Sequence, residues 1–124
     1  MNRMNMVTLK ATADAAGDGT DSTDSSVHGN IKAVYVKYDA SSAAGTDVTL
    51  KDAFGQTIVN LANANTSVVI YPRTPAQDNT GTDVTFDGTN EIYTEFSFYS
   101  KLTLTIADQT AAKAVTAYIL YESA

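Results

Sequence analysis

The chain has no cysteine and no tryptophan, one histidine, two prolines and two arginines among its 124 residues. Without cysteine there is no disulfide framework, no thiolate nucleophile and no Cys-based zinc site. The lone His28 rules out a multi-histidine metal cluster within one chain. It also lies in a Gly- and Ser-rich stretch, a poor place for the positioned base of a Ser-His pair. No G-x-S-x-G elbow and no phosphate-binding glycine motif occurs. No apolar run nears the roughly 20 residues of a membrane span. The opening "MNRMNMVTLK" lacks the apolar core and cleavage site of a secretory signal. Bases are scarce too: 8 against 14 acids, for a net charge of −6, which repels nucleic acid. No nucleic-acid partner, membrane, cofactor or metal is therefore expected.

What the chain does have is two-residue alternation. "LTLTIA" (102–107) sets Leu102, Leu104 and Ile106 against Thr103 and Thr105. "EIYTEFSFYS" (91–100) sets Ile92, Phe96 and Phe98 against Tyr93, Glu95, Ser97 and Tyr99. "IKAVYVKYD" (31–39) and "AVTAYILYE" (114–122) alternate as well, but both of their faces are largely apolar or aromatic. That pattern fits central strands of a sandwich, or strands covered by a neighbouring subunit. "VVIY" (68–71) reads as a buried strand. Turn signals separate the runs: "DAFGQ" with Gly55, "ANANTS", and Asp-Gly in "DGTNE". About eight short strands at this spacing predict an all-β protein, an antiparallel β-sandwich or a jelly-roll-like barrel. Helical periodicity is absent.

Residues 14–30 differ in composition, with four Asp, three Gly and little to bury. They read as an exposed acidic loop. Residues 6–13 alternate, as a first strand or as an arm that pairs elsewhere. The expected organisation is an arm and acidic loop over 1–30 and a sandwich domain over 31–124, in a chain the length of one domain. Asp18, Asp21 and Asp24 invite a calcium hypothesis, but acids at every third residue miss the alternate positions and closing Glu of an EF-hand loop. A solvated loop is the better reading. Glu91 and Glu95 do not make a convincing hydrolytic pair.

The stretch "VVIYPRTPAQDNTG" (68–81) is the most informative. Pro72 cannot donate to a sheet ladder, so it ends a strand or sits at an edge. Pro72 and Pro75 push Tyr71 and Thr74 toward extended backbone. Arg73 is thereby held on a stiff segment, suited to bidentate pairing with a carboxylate. In an acidic homo-oligomer a neighbouring subunit is the natural source of that carboxylate. Seven tyrosines add weight, because tyrosine suits surfaces dry on one side and wet on the other. Tyr71, Pro72, Arg73, Pro75, Tyr93 and Tyr99 are the expected interface residues. Tyr93 and Tyr99 also allow a carbohydrate-stacking platform.

The succession "HGNIKAVYVKYD", "TDVTLKDAFGQTIVNLANANT", "VVIYPRTPAQDNTG", "KLTLTIADQTAAKAVTAYILYE" resembles small virion structural proteins of tailed bacteriophages over residues 28–122. "YPR" followed by "D-x-x-G" is its most specific part. The resemblance implies a β-sandwich without catalytic residues. It also implies a capsid decoration (cement) role: a homo-oligomer, a trimer for preference, on the major capsid protein. Such a protein would be made in the host cytoplasm and reside on the capsid surface. A neck, tail or fibre component and a carbohydrate-binding module are the alternatives.

Overall fold

A computed structural model describes residues 3–24 and 27–123. The alternation becomes eleven strands: β1 (Arg3–Thr12), β2 (Gly19–Ser22), β3 (Val27–Tyr38), β4 (Asp47–Lys51), β5 (Thr57–Leu61), β6 (Val68–Ile70), β7 (Arg73–Pro75), β8 (Tyr93–Glu95), β9 (Ser97–Ser100), β10 (Thr103–Ala107) and β11 (Ala114–Ser123). No helix occurs among the described residues.

With β7, β8 and β9 set aside, eight strands remain, and they pair outermost with outermost. β1 lies on β11, β2 on β10, β3 on β6 and β4 on β5, all antiparallel. This is one long hairpin rolled up. Two further ladders, β11 with β3 and β10 with β4, fix the roll as two sheets. One sheet runs β1-β11-β3-β6, with β9 also on β3; the other runs β2-β10-β4-β5. The topology is a jelly roll, within the antiparallel all-β class that the sequence predicts. The expected eight or so strands match the roll, and three short strands between β6 and β10 make up the eleven.

The core lies between the sheets and follows the period of two. Leu9 and Ala11, then Val34 and Val36, then Val115, Ala117 and Ile119 point inward from the first sheet. Val48, Leu50, Leu104 and Ile106 meet them from the second. Each large side chain buried this way contributes about 1.5–3 kcal/mol.

Polar clips close the loops. Buried Asp52 accepts hydrogen bonds from the Phe54 and Gln56 amides (both 3.0 Å) and from Gln56 Nε2 (2.7 Å), which shapes the turn from β4 to β5. Buried Gln109 accepts from the Ala43 amide (2.9 Å) and donates to Ser42 Oγ (3.0 Å), tying the loop before β11 to the loop after β3.

Residues 3–22 are built into the roll. β1 pairs with β11 over ten residues, and β2 is an outer strand of the second sheet. The acidic stretch is therefore partly strand, with Ser25 and Ser26 outside the described residues. Its polar residues alternate where β2 pairs on one side only, so little apolar sequence is needed there. The strand expected over 91–100 divides into β8 and β9, and Ile92 is exposed. The strand near 68–71 is not buried: Val68 and Val69 are 38% and 49% exposed, because β6 is a sheet edge with one neighbour.

Candidate functional site

Between β6 and β9 the chain leaves the sandwich. The buried apolar core skips from Val59 to Phe98, and Pro72 is the one buried residue over 71–96. This excursion is a lobe. At its base β7 pairs with β8, with Arg73 opposite Glu95 and Pro75 opposite Tyr93. Above that, three passes of the chain close on one another. The Ala76 amide donates to the Ile92 carbonyl (2.7 Å), Ile92 to Val84 (3.1 Å) and Val84 to Ala76 (2.8 Å). Backbone groups thus satisfy each other in a ring of three, without a hydrophobic centre.

Two aspartate turns join the passes. Asp78 Oδ1 accepts from the Thr80 hydroxyl (2.7 Å) and from the Thr80 and Thr82 amides. Asp87 accepts from the Thr89 and Asn90 amides and from the Asn90 side chain. Such turns are what Asp does best next to glycine, and Gly81 and Gly88 both take positive φ (86° and 82°). The hydrogen bonds favour the charged form. The Asp78 pKa is lowered, first by the Thr80 hydroxyl, and that of Asp87 first by the Asn90 amide.

The lobe displays apolar surface: Phe86 is 71% exposed, Tyr93 60%, Ile92 42% and Val84 36%. Residues 76–92 also carry four acids (Asp78, Asp83, Asp87, Glu91) and no base.

A bulge anchors the lobe. The β11 to β3 register steps from Leu120↔Ala33 to Tyr121↔Ile31, so Lys32 is the extra residue. Freed from the ladder, Lys32 Nζ meets Glu95 Oε1 of β8 at 2.9 Å. That hydrogen bond raises the Lys32 pKa, with the Glu122 charge adding to it. Nearby, Gly29 takes φ of +150°, and a Cβ there would run into the backbone carbonyl of Glu122. Only glycine lets β3 and β11 close at this point.

The second feature is the outer face of the first sheet. Met6, Ala33, Tyr35, Val69, Tyr118 and Leu120, with Lys37 beside them, line a shallow apolar groove of about 460 Å³. Tyr35 and Tyr118 stack at 5.8 Å across it. Met6 is 64% exposed, and no lobe residue from 76–92 lies among the lining residues. Lys10 and Lys37 flank Thr116 in one cross-strand row at the end of this face. This is the outward half of the two-sided alternation over 31–39 and 114–122. The sequence carries the signal in the two-sided apolar pattern of those runs.

The expected interface residues fall in two places. Tyr71, Pro72, Arg73, Pro75 and Tyr93 gather at the base of the lobe. Tyr71 and Tyr93 are exposed, whereas Pro72 is buried. Arg73 folds back, its Nη1 donating to the Pro72 carbonyl (2.8 Å). Tyr99 stands apart on β9 and stacks on exposed Phe54 at 5.0 Å rather than joining Tyr93. His28 lies exposed on β3 opposite Tyr99. Asp21 accepts from the Lys10 amide (2.9 Å), and no three acid or histidine side chains among the described residues converge to hold a metal.

Fold and surfaces together define an antiparallel jelly-roll sandwich with an exposed lobe and an uncovered sheet face. No family model matches the chain, and no curated protein matches it. A solved structure of infectious bursal disease virus, Gx strain, aligns over 97% of this chain at 12% identity and a TM-score of 0.22. This chain spans 40% of that one.

Proposed function

We propose that the protein is a non-enzymatic structural component of a virion, a decoration (cement) protein of the capsid surface that acts as a homo-oligomer, preferably a trimer. One observation carries this reading. A jelly roll presents two apolar surfaces, the lobe and the outer face of the first sheet, while carboxylates with side-chain partners hold turns (Asp52, Asp78, Asp87) or an ion pair (Glu95). Apolar patches rimmed by charge mark surfaces that other proteins cover. The resemblance of residues 28–122 to small phage virion proteins points the same way, and jelly rolls serve widely in viral shells. That fold-level link is analogy. Mechanically, each copy would bridge neighbouring major capsid proteins and raise the barrier to rupture of the shell.

The test is quantitative mass spectrometry of purified particles. A copy number comparable to that of the major capsid protein is expected. A few copies per particle would move the protein to the neck, tail or fibres, and absence would end the virion reading. A carbohydrate-binding module is the second reading, favoured by the exposed Phe54–Tyr99 stack. It requires glycan binding by the isolated protein that Tyr99→Ala abolishes.

A further inference from the structure

We infer that the lobe of one copy docks on the outer sheet face of the next, so that the protein self-associates head to tail. This inference rests on the oligomeric part of the proposed function and needs nothing from its virion part.

The two surfaces complement each other in chemistry. The 76–92 tip of the lobe offers Val84, Phe86 and Ile92 among four acids and no base. The face offers Met6, Val69, Leu120 and the Tyr35–Tyr118 stack, with Lys10 and Lys37 along one end. Neither lysine is ion-paired within the described chain, whose one such pair is Lys32–Glu95. In a protein of net charge −6, a basic end on an apolar face selects an acidic, apolar partner. The lobe is such a surface, present on every copy.

Size and placement agree. The 76–92 tip numbers 17 residues, slightly under the roughly 20–30 that a standard interface uses on each side. The lobe leaves the sheet just past β6, the edge of the sheet whose outer face is uncovered, and its 76–92 tip is not seated on its own face. Face-to-face pairing of two copies would leave Phe86 and its neighbours in water. Lobe-to-face pairing covers both apolar surfaces at once. Unlike surfaces in contact make a heterologous interface, which closes as a ring where its rotation divides the full circle and otherwise runs on as a filament.

The experiment is analytical ultracentrifugation of the full chain, alone and in mixtures. Phe86→Arg alters the lobe and Met6→Glu alters the face. Both positions are more than 60% exposed, and far-UV circular dichroism with melting temperature confirms that each variant folds. The wild type is expected to self-associate, and each variant to associate at least about tenfold more weakly. Mixing the variants should restore a 1:1 heterodimer, because each retains the surface that the other lacks. An oligomer untouched by Phe86→Arg, or one that mixing fails to restore, overturns lobe-to-face docking and leaves an oligomeric protein in place. A monomeric wild type at high concentration overturns the inference together with the oligomeric reading, while particle mass spectrometry still decides the virion role.

Discussion

Asp52 shows how one residue organises a turn. Its buried carboxylate collects the Phe54 and Gln56 amides and the Gln56 side chain, at the point where Ala53 also donates to the Tyr99 carbonyl (3.3 Å). Asp52→Ala should cost about 2–3 kcal/mol in chemical denaturation, because it strands several donors at once. Asp52→Asn keeps one acceptor and should cost less. Arg73 is the opposite case: exposed, with its own backbone as partner, it contributes little to folding. Arg73→Ala should shift stability by less than about 0.5 kcal/mol. It should still weaken subunit or capsid association, seen as a lower sedimentation mass or poorer retention on particles. Residue-scale signals were legible where chemistry is local, as at Gly55 and Gly88, which both take positive φ in their turns. The Lys32–Glu95 pair was not legible, because the bulge that frees Lys32 arises from the register between β3 and β11, about 90 residues apart in sequence.

Among the elements, the lobe has the most distinctive energetics. It has no apolar core, so backbone ring and aspartate turns hold it together. Asp78 and Asp87 have pKa values below the ordinary 3.8, so they favour the folded lobe when ionised. Their contribution is complete above that ordinary value and disappears as the pH falls through the lower, folded one. Acidification below about 4 should therefore lower amide protection, relative to the intrinsic exchange rate at each pH, at Thr80, Thr82, Thr89 and Asn90 before the sandwich strands respond. Asp78→Asn should flatten that response in its own turn and leave the Asp87 turn unchanged. The Lys32–Glu95 link has the reverse sign, its support lasting up to the ordinary lysine pKa of 10.5 and fading above it. The strands of the roll were legible because both sheets bury one face and alternation records that. The split of 91–100 was not. A strand that trades one partner, β7, for another, β3, keeps its alternation throughout. Nor does the apolar run 68–70 say that β6 has a neighbour on one side only.

At the scale of the whole molecule, sandwich and lobe are separable. The Ala76 and Ile92 backbones are already hydrogen-bonded, so an Asn-Gly turn can replace residues 77–91 without moving either strand. The shortened chain should melt within a few degrees of the full one, a loss of about 1 kcal/mol or less, since nothing buried is removed. Scanning calorimetry decides this, and a large drop would mean that the lobe clamps the roll. Composition and alternation together announced the all-β class. The order in which strands pair was beyond them, because a pairing rule that joins first to last leaves no mark on any local window.

That rule bears on how the chain comes off the ribosome. β11 is the inner neighbour of both β1 and β3, and β10 holds β2 and β4 together. Until residues 103–123 have emerged, β1 and β2 have no ladder to join. At roughly 5–20 residues per second, the early strands wait several seconds with their edges open. Pairings this distant in sequence also make folding slow once the chain is complete. Nascent copies crowded on one message would be the ones exposed to wrong pairing, and the polar, acidic β2 segment "GTDS" puts the least adhesive strand among those that wait.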